Sequence, residues 1–247
     1  MTKTLETLTE ALLDAARKAG AESADAMALR GSSLSIDVRA GALAQAERAE
    51  GTDLGLRVLV GRRQACVSAS DTRPETLTAL AERAVAMARE APEDPHAGLA
   101  DSGQLARDWD LAALELEDPA PEPAPQALED EARAAEAAAL AVDGVEQVQQ
   151  AGATYARRQV HLAATNGFSG GYAQTDSALA CVAIAGEGTG MERDHDHDSR
   201  IFRADLREAG EIGTTAGRRA AERLGPRRPR TGAYPVLFDE RVADSLI

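Results

Sequence analysis

The sequence predicts an α+β protein made of two similar helix–antiparallel meander–helix units, an internal duplication, followed by the start of a β-rich C-terminal domain that is truncated at residue 247. Three observations predict it. Each half opens on an amphipathic helical pattern, continues through short strands separated by glycine turns, and closes on another helical pattern. Thr52-Asp53 opens a strand in the first half and Thr175-Asp176 opens its counterpart, each leading through an apolar run to Gly61 or Gly186. Between the halves, Pro119-Ala120-Pro121-Glu122-Pro123-Ala124-Pro125 reads as an extended, semi-rigid spacer. The expected divisions are a first unit over 1–118, a linker over 119–126, a second unit over 127–230, and the beginning of a further, missing domain over 231–247.

Residues 4–19 carry Leu5, Leu8, Leu12, Ala15, Ala16 and Ala19 at helical spacing, and Gly20 ends the pattern. Strands are expected over 24–29, 34–38, 42–48, 53–60 and 64–70, with breaks at Gly31-Ser32, Gly41, Gly51 and Gly61-Arg62. Leu34, Ile36 and Val38 alternate with Ser35 and Asp37, which marks a sheet with one wet face. Asp71 or Thr72 is the expected cap of a helix running to about Glu90, with Pro74 in its first turn. From 91 to 126 the chain loosens, with Trp109-Asp110-Leu111 and Leu114-Glu115-Leu116 able to tie the crossing back to the fold. A second strong helix is expected over 127–142, stopped by Asp143-Gly144. Strands follow over 145–151, 155–165, 169–174, 176–185 and 191–202, the Thr165-Asn166-Gly167 turn marking a hairpin. A last helix near 211–224 ends at Gly225-Pro226.

Composition narrows function. Hydrophobic residues make up 44% of the 247 and aromatics only 3%, so the core must be built from Ala, Leu and Val. A net charge of −14 disfavours direct nucleic-acid binding, because such binding neutralises phosphates. Arg218, Arg219, Arg223, Arg227, Arg228 and Arg230 form one basic run, but no aromatic residues are interleaved with it, and basic residues suit a helix C-terminus. Cys66 and Cys181 lie in apolar runs without a CxxC neighbour, which reads as two buried free thiols of a cytoplasmic protein. Residues 1–20 lack the apolar stretch of a signal peptide or membrane span, so no membrane is expected as a partner.

Asp194-His195-Asp196-His197-Asp198 is the sharpest chemical signal. On a strand, His195 and His197 share one face and the three aspartates the other. The pair is a candidate for holding a metal, yet a zinc site needs a third protein ligand, and His96 and His161 stand apart. The competing reading is a solvated edge strand whose charges discourage aggregation. Gly186-x-Gly188-x-Gly190 leads into acidic, β-like sequence, the wrong context for a phosphate loop, and neither a GxxxxGK[ST] loop nor a G-x-S-x-G elbow is present.

The run Ala164-Thr165-Asn166-Gly167-Phe168-x-Gly170-x-Tyr172, followed by a small-residue strand and Gly188-x-Gly190-Met191-Glu192-Arg193-Asp194, resembles the PmbA (TldE) branch of the TldD/PmbA family, also described as modulators of DNA gyrase. Residues 231–239, Thr-Gly-Ala-Tyr-Pro-Val-Leu-Phe-Asp, followed by Arg241-Val242-Ala243, resemble that family's passage into its C-terminal domain. The resemblance implies a cytoplasmic, metallopeptidase-related protein. Its implied partners are a TldD-like subunit, or a second copy through self-association, and a peptide substrate: the complex trims unfolded or modified peptides, such as microcin precursors and antitoxins. The active TldD branch carries an HExxxH helix, two zinc ligands and a glutamate that activates water. No His-Glu dipeptide occurs here, so the resemblance assigns this chain no catalytic, cofactor-binding or metal residue, and zinc is expected in the TldD-type partner. Two other readings stay open: an acidic regulator of gyrase or another DNA-handling enzyme, and a metal-dependent hydrolase using His195 and His197.

Overall fold

The periodicities resolve into one element order used twice. Thr4 accepts the Thr7 N–H and caps α1 (Leu5–Ala19), which stops at Gly20 in the left-handed region at φ 97°. Three strands follow, β1 (Ser23–Arg39), β2 (Ala42–Val60) and β3 (Arg63–Ala69), and then α2 (Pro74–Glu90). After the 91–124 connection the chain repeats the order with α3 (Pro125–Leu140), β4 (Val145–Ala164), β5 (Ser169–Ala185), β6 (Glu192–Arg200) and α4 (Ala209–Glu222). A short α5 (Glu240–Ala243) comes last. This computed structural model describes residues 4–243 and 245; Met1, Thr2, Lys3 and, within the 231–247 stretch, Asp244, Leu246 and Ile247 lie outside the described residues.

All six strands join one antiparallel sheet in the order β3-β2-β1-β4-β5-β6. The order reads the same from either end in terms of each unit's own first, second and third strand. The seam between the units is β1 against β4, from Asp25 opposite Ala164 to Val38 opposite Ala151.

Several boundaries differ from the sequence reading, each for a local reason. The strand pairs expected over 24–29 and 34–38, and over 42–48 and 53–60, fuse into β1 and β2, because Gly31 sits inside the ladder opposite Gly51 and Arg158 rather than in a turn. The second half fuses likewise into β4 and β5. Arg73, not Asp71 or Thr72, is the N-cap residue of α2; the Asp71 carboxylate instead accepts from the Arg73 N–H and guanidinium and from the Thr76 hydroxyl. Pro125, read as linker, is the first residue of α3, where its missing N–H leaves nothing unsatisfied. Cys66 is exposed, since it alternates with Ala65 and Val67, which face the helices; Cys181 is buried as expected. Residues 231–239 carry no helix or strand and leave Tyr234, Val236, Leu237 and Phe238 exposed.

Both helix pairs cover the same sheet face, yet they enclose separate cores. Along β1, Ala24, Ala26 and Ala28 pack under α1 in the core that α1 and α2 share, while Leu34, Ile36 and Val38 pack under α3 in the core that α3 and α4 share. Arg30 and Ser32 lie in the same phase between the two cores, so the face is apolar, polar, then apolar along a single strand. The hairpin tip between β1 and β2, with Ala40 and Gly41 both at positive φ, is held by α3: Glu136 Oε2 accepts the Gly41 N–H at 2.8 Å, and Arg133 donates to the Gly41 carbonyl.

With so few aromatics, the helices pack through small residues and come close. In α4, a Cβ added at Gly213 would lie 2.0 Å from the Ala135 carbonyl oxygen of α3. Gly213→Ala is therefore expected to destabilise the protein by about 2 kcal/mol, overpacking outweighing the gain in helix propensity of about 1 kcal/mol. A urea denaturation midpoint equal to or above that of the parent would refute this close-packing account.

Candidate functional site

The Asp194–Asp198 stretch lies on β6, at one edge of the sheet. The two faces separate as the period of two requires: Asp194, Asp196 and Asp198 are buried, while His195 and His197 are exposed. The aspartates meet a row of arginines. Arg207 and Arg219 donate to the two carboxylate oxygens of Asp196 at 2.9 and 2.7 Å. Arg223 and Arg241 donate to those of Asp194 at 2.6 and 2.9 Å. Asp198 accepts the Arg207 backbone N–H at 3.0 Å and pairs with Arg200. Burial pushes the Asp194 and Asp196 pKa values up, but the His195 N–H and the Arg241 and Arg223 guanidinium groups at Asp194, and Arg207 with Arg219 at Asp196, win and hold both below the usual carboxylate range.

The same side chains close the sheet edge. In an antiparallel ladder, alternate residues turn both backbone groups away from the neighbour, and here these are His195 and His197. The His195 N–H goes to Asp194 at 2.7 Å and the His197 N–H to Asp196. The His195 carbonyl accepts from Arg219 at 3.2 Å and from Arg241 at 3.4 Å, and the His197 carbonyl accepts from Arg207 at 2.7 Å. The charged cluster thus satisfies its own backbone.

Among the described residues, that geometry brings the histidine pair no third ligand. The His195 and His197 rings stack in solvent at 5.9 Å, and the neighbouring carboxylates point the other way into arginine pairs. His161 is engaged elsewhere: its Nδ1 and the Thr9 hydroxyl share a hydrogen bond of 2.9 Å. His96 is exposed on the 91–124 connection. Among the described residues, no three His, Cys, Asp or Glu side chains group so as to hold a metal ion. The basic run of α4 is partly neutralised, Arg218 by Glu222, Arg219 by Asp196 and Arg223 by Asp194. The Cys181 thiol, buried beside α3, is pushed up to about 12 by desolvation and by the charges of Glu136 and Asp196, which leaves it inert.

A polar break between the two cores on the helix-covered face is a cleft of about 500 Å³, its floor formed by Arg30, Ser32, Arg48, Glu50, Thr52, Arg157 and Gln159. The 91–124 connection reaches it after crossing the sheet. Trp109 packs at a tilt against Phe168, ring centroids 5.8 Å apart, and over Gly170 on the face away from the helices. The chain then rounds the free edge of β5, where the Leu116 carbonyl accepts the Thr175 N–H at 3.1 Å and the Thr175 hydroxyl accepts the Asp118 N–H at 2.8 Å. On the helix side, Arg157 donates to Glu117 at 2.7 Å and Arg48 donates to Glu122. The sequence reading missed this cleft and the arginine partners of the aspartates. The available signal was phase: Arg30 and Ser32 stand at inward positions of β1, where a continuous core would demand apolar side chains.

Comparison with known proteins places both units in one family. The model of the PmbA/TldA metallopeptidase domain 1 matches residues 24–88, and that of the PmbA/TldA metallopeptidase central domain matches residues 117–224. The chain is 31% identical over 214 residues to the metalloprotease PmbA of Escherichia coli O157:H7, covering 86% of this chain and 47% of that protein. It is 28% identical over 238 residues to a metalloprotease PmbA homolog of Haemophilus influenzae, covering 95% of this chain and 51% of that one. Among solved structures, TldE from Thermococcus kodakarensis matches in fold with a TM-score of 0.70 at 15% identity, over 86% of this chain and 47% of that one. A Bacteroides thetaiotaomicron protein described as a modulator of DNA gyrase matches with a TM-score of 0.79 at 23% identity, over 92% of this chain and 51% of that one. The chain spans about half the length of the curated relatives it matches.

Two outcomes follow from the β6 geometry. Because the folded-state pKa values of Asp194 and Asp196 are depressed, their contribution is fully present above the unfolded carboxylate value of about 3.9 and is lost as pH falls through the folded values. Asp196→Asn should therefore cost about 1–3 kcal/mol near neutral pH, and the gap from the parent should shrink below about pH 4; denaturation curves with a constant gap would contradict this. His195→Ala combined with His197→Ala should leave the denaturation midpoint and the metal content by mass spectrometry unchanged, whereas loss of a stoichiometric metal would overturn that expectation.

Proposed function

We propose, from the premise that this chain belongs to the PmbA/TldD metallopeptidase family, that it is the N-terminal part of a PmbA/TldE-like subunit that supplies scaffold and subunit contacts rather than peptide-bond chemistry. It works beside a TldD-like subunit, which carries the zinc, in a complex that acts on unfolded or modified peptides in the cytoplasm. The observation that carries this reading is the disposition of the histidines. Metal-assisted hydrolysis at neutral pH needs several protein ligands on one ion and a carboxylate base beside the bound water. Here His161 is bonded to Thr9, and His195 and His197 face solvent, with their nearest carboxylates committed to arginines on the other face. No His-Glu pair occurs in the sequence to supply the HExxxH arrangement. Direct nucleic-acid binding has weaker support, because the basic run that begins in α4 is partly neutralised by carboxylates, and an acidic regulator of gyrase remains the second reading.

The purified chain alone is expected to leave an unfolded reporter peptide uncut, with or without added zinc, and to co-purify with a TldD-type subunit when the two are co-expressed. Cleavage by the isolated chain that a chelator abolishes and zinc restores would overturn the non-catalytic assignment. Failure to co-purify would overturn the subunit assignment separately.

A further inference from the structure

We propose that the cleft between the two cores is a binding site for an extended, acidic peptide segment. Its floor presents three guanidinium groups, Arg30, Arg48 and Arg157, against one carboxylate, Glu50. Arg48 pairs with Glu50 and Glu122 and Arg157 pairs with Glu117, so two of the three carboxylates on these guanidinium groups come from a separate segment rather than from the floor. The three arginines stand on neighbouring strands: Arg30 on β1, Arg48 on β2 and Arg157 on β4. Guanidinium forks of this kind suit carboxylates spaced along an extended chain.

The chain itself shows the mode of recognition. Glu117 and Glu122, on the extended segment Glu117-Asp118-Pro119-Ala120-Pro121-Glu122, sit on Arg157 and Arg48. The proline-rich backbone needs no internal hydrogen bonds and loses little freedom on docking. This segment lies along one side of the cleft, and about 500 Å³ remains open over Arg30, Thr52 and Gln159, where Arg30 Nε reaches the Thr52 hydroxyl at 3.4 Å. A second acidic segment can lie there and share or take over the arginines that Glu117 and Glu122 hold. The tethered segment competes with it, because a short tether gives an effective concentration of order millimolar. The cleft would act in this way whether or not the chain serves a peptidase.

The test uses a fluorescent heptapeptide with the sequence of residues 117–123 and a second peptide in which amides replace its acids, followed by anisotropy at low ionic strength. The acidic peptide should bind and the amide peptide should not, and binding should weaken with salt. Glu117→Gln combined with Glu122→Gln should tighten it about tenfold, a change of about 1.4 kcal/mol. Arg30→Gln combined with Arg157→Gln should remove it in both backgrounds, with circular dichroism confirming the fold. Equal binding of the two peptides, or no gain from the opened connection, would overturn the proposal, as would absence of binding in both parent and opened variant. Should the arginine variant lose its fold, the opened variant, which alters only the connection, decides alone.

Discussion

The structure rests on the pairing of β1 with β4. Each unit has three strands and two helices, and each pair of helices covers only part of the sheet. Neither unit's sheet ends at its own boundary. Val38, at the end of β1, belongs to the core under the second unit's helices, and Ala163, at the end of β4, belongs to the core under the first. Each long central strand therefore carries both cores, and a break in the seam would open both at once. The 91–124 connection can be long and loosely structured because this seam, not the connection, holds the halves together.

The division of labour along β1 and β4 explains what could be read from the sequence. Helix periodicity placed α1, α2, α3 and α4 within a few residues, since amphipathic stripes are local properties. The duplication showed in the repeated element order. Strand lengths were misread because Gly31-Ser32 and Gly51 look like turns; only their ladder neighbours on either side keep them extended, and those neighbours are remote in sequence. Cys66 was misplaced because an apolar neighbourhood does not say which face of an edge strand a residue takes. At β6 the sequence correctly separated the histidines from the aspartates. It could not show that the aspartate face was the buried one, because the arginines that neutralise it lie further along the chain, at 207, 219, 223 and 241. The cleft was legible only as the inward phase of Arg30 and Ser32, because its arginines come together through sheet register.

Polar character on the helix-covered face therefore has two different physical settings. At β6 the charges are buried, paired and saturated, with backbone and side-chain groups satisfying each other, which suits a structural closure. Over Arg30, Arg48 and Arg157 the charges are half-exposed beside open volume, which suits exchange of one carboxylate for another. Alternation places both on the same face, and only depth beneath the helices separates the fixed from the exchangeable.

The sealed backbone of β6 has a consequence for how copies of this protein can meet. Runaway stacking of sheets into fibres needs two receptive flanks, one to offer a strand and one to receive it. Here one flank has no unoccupied amide or carbonyl at His195 and His197 to offer. Strand-to-strand association is therefore steered away from this stretch of β6 and toward ladders left open elsewhere, along the outer side of β3 and along β2 before residue 54. A protein rich in alanine and long strands thus carries, at His195 and His197, a stretch of edge that turns a neighbouring strand away without any element covering it.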